Sequence, residues 1–169
     1  MDKEQIIKDI NENTEVLIDQ LQRVPEDIFN SHPDTDTWSV GDVVEHLLKI
    51  EKGAVNILTG DSQHTDRDYK EKVEIITTAF LNFERKLKSG GPVNPTNNTK
   101  VKDEVIEKFA QYRAGLVGML SDVDLTLEYT GFSHRLTGYM TGYEWIYFLI
   151  HHTTRHVHQI KEIQGTLKH

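Results

Sequence analysis

The segment HHTTRHVHQ, residues 151–159, packs four of the chain's nine histidines into eight positions. Imidazole is a ligand for first-row metals and a group that moves protons near neutral pH. On a helix, side chains four apart lie over one another, near enough for two imidazoles to reach one ion. With about 100° per residue and Trp145 set at zero, His152 falls at about −20° and His156 at about +20°. Leu149 lies near +40° and Ile163 returns to zero, so both histidines sit in the middle of the apolar stripe. His151 and His158 fall beyond about 120° from its centre and are expected to face solvent.

An isolated pair of this kind serves equally well as two hydrogen-bonded core histidines. A third ligand breaks the tie. In the segment Ser39–Gly60, His46 lies about 60° from Val43 and about 40° from Ile50, at the edge of a second apolar stripe from which it can point into the same interior. Three neutral imidazoles on a chain without cysteine suit Zn, Ni, Fe or Mn, and three protein ligands leave positions open for water or substrate.

Three further polar residues share these faces. Gln159 and Arg155 lie at about −40° and −80°, on the shoulder beside the two histidines, where either can orient a ligand or a bound water. Arg113 shares its face with Ile106, Phe109, Ala110, Val117 and Leu120, so it pairs inside the interior, reaches outward, or holds a substrate anion. The stripes show no obvious Asp or Glu to serve as a general base, and Asp34 or Asp36 would have to approach from a loop. No catalytic residue is assigned. Trp38, Trp145 and Phe148 read as core packing, and His32, His64, His134 and His169 as solvated surface histidines.

The elements that must position these residues are helical. Ile6, Ile10, Leu17 and Leu21 give an amphipathic helix over 3–22. Ser39, with Asp42 three residues on, marks the start of a second helix over about 38–59. Val73, Ile76, Phe80 and Leu87 predict a helix over 69–88, stopped by Ser89-Gly90-Gly91-Pro92. A fourth helix covers 101–120 and a fifth about 141–166, with long loops at 23–37 and 122–140. Five helical segments and no convincing strand give an all-α four-helix bundle with the 69–88 helix in the crossover after helix two.

Composition narrows the function. At 169 residues the chain is the size of one domain, expected to span 1–169. The net charge of −8, spread along the chain, disfavours nucleic acid as a ligand. The absence of cysteine excludes disulfides, thiolate metal sites and a cysteine nucleophile. No signal peptide or membrane span is recognisable, so a cytoplasmic protein is expected, acting on a small molecule.

Two segments carry a family likeness. TWSVGDVVEHLLKIE and HHTTRHVHQIKEI resemble the two signatures of DinB-like proteins: a Trp-Ser helix start, a histidine some eight residues on, and a closing H-x-x-x-H-x-x-Q-I, here Trp38, Ser39, His46, His152, His156, Gln159 and Ile160. The intervening RKLKSGGPVNP is similar to the basic, proline-containing connection many of these proteins carry. The resemblance implies an up-down-down-up four-helix bundle, commonly a homodimer, with a divalent metal held by the three histidines and water. It leaves the reaction open, because the family includes thiol S-transferases using bacillithiol, isomerases using mycothiol and members described as metal-dependent hydrolases. The expected function is therefore activation of a thiol cosubstrate or of water at the metal, for S-transfer or hydrolysis. A stress-response protein that binds a metal or ligand without turnover is the alternative.

Overall fold

The structure is a computed structural model, and it describes residues 2–84 and 91–167. Four long helices, α1 (Lys3–Gln22), α2 (Val40–Leu58), α4 (Lys102–Met119) and α5 (Gly142–Leu167), form the bundle, and a short α3 (Val73–Leu81) lies in the crossover between α2 and α4. The helix starts follow local chemistry. Asp2 accepts from the Gln5 amide at the head of α1, and Ser39 and Asp42 form a reciprocal capping box at the head of α2. Thr141 and Glu144 make the same exchange at the head of α5.

Side-chain links fix the directions. Asp9, Asn13 and Gln20 of α1 meet Tyr147, Ile150 and Gln164 of α5 in the same order, so these two helices run parallel. Asp42 meets Lys100 and Glu51 meets Arg113, which makes α2 and α4 parallel as well. Lys3 reaches the Leu120 carbonyl while Lys102 reaches that of Val24, so α1 opposes α4. The order is up-down-down-up.

Three corrections to the sequence reading concern the connections. The crossover helix is Val73–Leu81 and not 69–88: the Lys72 amide is taken by a Glu144 carboxylate, and Asn82 turns to extended backbone. Residues 85–88, with most of the basic RKLKSGGPVNP connection, lie outside the described residues. The stretch read as a loop over 122–140 contains a hairpin, β2 (Glu128–His134) and β3 (Gly138–Thr141), and β1 (Ser62–Gln63) completes an antiparallel sheet in the order β1-β2-β3. Gly138 has φ +68°, a conformation glycine adopts freely, at the turn between β2 and β3. Arg67 fastens the sheet to the bundle, bonding Glu128 of β2 and both carboxylate oxygens of the fully buried Glu144 of α5.

The apolar interior falls into two clusters. One, around Ile6, Ile10, Leu116, Trp145 and Leu149, lies towards α3 and the sheet, and the other joins Leu17, Val43, Leu47, Phe109 and Ile160. The buried polar side chains His46, Glu51, Arg113, His152, Thr153 and His156 come from the same helices, at positions between the cluster members along α2, α4 and α5. The bundle therefore carries polar groups in its middle, and these must find partners there.

Candidate metal centre

Alpha2 and α5 run antiparallel, which brings His46 against His152 and His156 across the bundle. All three side chains are buried, with relative exposures of 3%, 7% and 8%. Nε2 of His152 lies 3.3 Å from Nε2 of His46 and 3.1 Å from Nε2 of His156. A neutral imidazole carries at most one proton on Nε2, so a hydrogen bond donated by His152 could account for only one of these two contacts. A metal about 2.0–2.1 Å from each nitrogen would hold them about 3.3 Å apart in tetrahedral geometry and about 3 Å apart in octahedral geometry. The spacing therefore fits an ion, and these residues form the one three-ligand group among the described residues that could hold it.

The far ring nitrogens support the same orientation. Nδ1 of His46 donates to the Val93 carbonyl at 2.9 Å, and Nδ1 of His156 donates to Oε1 of Gln159 at 2.7 Å. A proton at Nδ1 leaves the lone pair at Nε2, facing the centre. Nδ1 of His152 is buried without a hydrogen-bond partner among the described residues.

Electrostatics keep the rings neutral. Burial pushes His156 down to about 3, with His46 and Arg155 adding to the effect and the Gln159 hydrogen bond opposing it. Burial likewise holds His152 well below the usual imidazole value, helped by His156, His46, His134 and Arg113. His46 is lowered by burial, against the Val93 hydrogen bond. Neutral imidazole is the form that ligates.

The neighbouring candidates separate. Gln159 is bonded to a member of the triad, as above. Arg155 reaches back to α3, donating to the carbonyls of Phe80 and Asn82. Arg113 is buried at 2% exposure and forms an ion pair with Glu51 at 2.7 Å, with a further hydrogen bond to Thr153 at 2.7 Å. Trp38 packs against His46, its ring 5.1 Å away, and Phe148 stacks on His152 at 5.3 Å. Asp34 and Asp36 are exposed and bonded within their own turn.

The sequence model of the DinB superfamily matches residues 10–160. The chain belongs to the DinB superfamily. All three histidines fall inside the matched region of this DinB-superfamily chain. An uncharacterised protein of Bacillus subtilis (strain 168), YuaE, is 25% identical over 154 residues, covering 88% of this chain and 91% of its own length. No solved structure matches the chain.

Sequence reasoning missed three things. Glu51 is a buried carboxylate at 1% exposure that was not recognised on the α2 stripe; its signal was the equally buried cation Arg113, which demanded a partner. His151 does not face open solvent but is half-buried against Thr77, whereas the His158 side chain keeps 41% exposure as expected, with its ring stacked on Phe83 at 4.3 Å. His134 is not a solvated surface residue but is half-buried among Phe80, Phe132 and Phe148. Of the remaining loop histidines His32 and His64 are exposed, and His169 lies outside the described residues.

Proposed function

We propose that this protein is a metal-dependent enzyme in which His46, His152 and His156 hold a divalent ion, Zn, Ni, Fe or Mn, that activates a thiol or water against a small-molecule substrate. The observation that carries this reading is the convergence of three buried Nε2 atoms, with His152 at 3.1 and 3.3 Å from the other two, a spacing that suits coordination of one ion. Bound there, the ion would lower the pKa of a thiol or water and so supply a nucleophile at neutral pH.

The chain's own residues divide the remaining work. The Val93 carbonyl and Gln159 fix His46 and His156 in the tautomer that presents Nε2. Arg155 ties α5 to the end of α3, and Arg113 with Glu51 holds α4, α2 and α5 together beside the ligands. Hydrolysis requires a general base near the attacking water. Among the described residues no carboxylate bonds any of the three histidines, and the two buried carboxylates of α2 are committed elsewhere, Asp42 to Lys100 and the Ser39 amide and Glu51 to Arg113. The balance therefore favours transfer of a low-molecular-weight thiol over hydrolysis. The near-complete burial of the three rings favours, as the second reading, a protein that binds a metal or ligand without turnover.

The deciding experiment incubates metal-loaded protein with bacillithiol or another thiol and monochlorobimane, and separately with a panel of esters and amides. Thiol conjugation that requires the metal is the expected result. Activity on the esters alone would support hydrolysis, and inactivity in both with metal bound would support the binding reading. The same family likeness motivates a homodimer, which sedimentation would test.

A further inference from the structure

The β2–β3 hairpin brings a fourth histidine to the aromatic side chains that border the candidate centre. His134 ends β2, paired with Gly138, and its ring sits 5.2 Å from Phe148 and 6.3 Å from Phe80. These two phenylalanines are also the neighbours of the ligand candidate His152, at 5.3 and 5.6 Å. His134 and His152 thus share one aromatic pair as neighbours.

The orientation of His134 is set from the turn. Its Nδ1 accepts the Leu136 amide at 3.3 Å and lies 3.3 Å from the Thr137 hydroxyl. An acceptor at Nδ1 places the proton of the neutral ring on Nε2, the nitrogen farther from the backbone. Burial among Phe80, Phe132 and Phe148 lowers the pKa and keeps the ring in that neutral form. Nε2–H has no hydrogen-bond partner among the described residues, and it is not sealed from solvent. The hairpin therefore presents a single oriented donor, one aromatic ring removed from His152, beside the exposed Phe132 and Leu136.

We propose that His134 Nε2–H is a substrate-contacting donor for this centre, selecting thiols that carry a carboxylate or carbonyl acceptor a few bonds from the sulfur. This rests on the three-histidine reading and adds a substrate class to it. An apolar stem would lie against the Phe80–Phe148 pair, with the sulfur at the ion and the acceptor at His134. A hydrogen bond to a charged acceptor is worth about 1.5–3 kcal/mol, or roughly 10–100-fold in affinity.

The test uses cobalt-loaded full-length protein titrated with 3-mercaptopropionate and with 1-propanethiol, reading the thiolate-to-cobalt charge-transfer band. His134→Gln keeps a donor near the Nε2 position and loses the turn acceptor, whereas His134→Asn keeps the acceptor and loses the distal donor. The expected result is a preference for the carboxylate thiol of about tenfold or more in the wild type, largely kept in His134→Gln and lost in His134→Asn. An equal preference in all three proteins, as chelation by the carboxylate alone would give, overturns the proposal. So does loss in His134→Gln with retention in His134→Asn, which assigns His134 to the turn. Absence of the band with both thiols in the wild type overturns the thiol-activating reading and this inference with it, and is distinguishable from the other outcomes.

Discussion

Oε1 of Gln159 lies 2.7 Å from Nδ1 of His156, one helical turn away. The contact fixes which nitrogen of His156 carries its proton, and so which one faces His46 and His152. Removing such a partner usually lowers metal affinity by about 10–100-fold. Gln159→Leu is therefore expected to weaken metal binding by about that factor in competition with a chromophoric chelator, while the metal-free protein unfolds at an unchanged urea midpoint. Unchanged affinity would show that the Gln159 contact is incidental.

The Glu51–Arg113 pair makes a prediction about stability. Both side chains are buried, at 1% and 2% exposure, and burial pushes the Glu51 carboxyl up against the opposing pull of Arg113. Glu51→Leu strands a buried guanidinium and is expected to cost about 3–5 kcal/mol in urea unfolding. Glu51→Leu with Arg113→Met is expected to recover most of that loss, because no charge is left unpaired. A single variant as stable as the wild type would mean that Arg113 finds another partner.

Acid should loosen the sheet before the bundle. Burial raises the Glu128 carboxyl, but hydrogen bonds from Arg67 and Gln63, with the charges of Arg67 and Lys72, outweigh it and hold the group below its ordinary value. A carboxylate depressed in the folded state stabilises it above the unfolded value, about 4.5, and loses that contribution as pH falls below it. The wild type is expected to exceed Glu128→Gln by about 1 kcal/mol at pH 6, and the difference should shrink as pH falls below about 4.5. A difference independent of pH would assign the effect to packing.

Gly142 begins α5, where a Cβ would meet Leu125 Cα at 2.9 Å and Tyr129 Cε2 at 3.2 Å. Gly142→Ala should cost about 1–3 kcal/mol, measured by thermal unfolding. Gly118→Ala, where a Cβ meets nothing within 4 Å, is the control and should be neutral or slightly stabilising.

The long helices were legible because each buries one stripe of its surface, and a period of 3.6 records that burial directly. The first helix, Lys3–Gln22, and the Ser39 cap were read from local residues alone. The connections were not, because their structure depends on distant partners. Beta2 is held by Asp61, by strands β1 and β3, and by Arg67, none of which its own sequence announces. The same holds at the site. Helical phase placed His152 and His156 on one buried face, and His46 on the edge of another, since phase is a property of a single helix. Val93 at His46, Glu51 at Arg113 and His134 beside Phe148 all depend on how separate elements meet, which periodicity does not encode.

The central claim is that His46, His152 and His156 are one ligand set. Elemental analysis after reconstitution with a divalent metal and removal of excess ion tests it directly, with His151→Ala and His158→Ala as controls. About one equivalent per chain is expected in the wild type and both controls, and a large loss in each of His46→Ala, His152→Ala and His156→Ala. Full metal content in all three of those variants, in folded protein, would contradict the account.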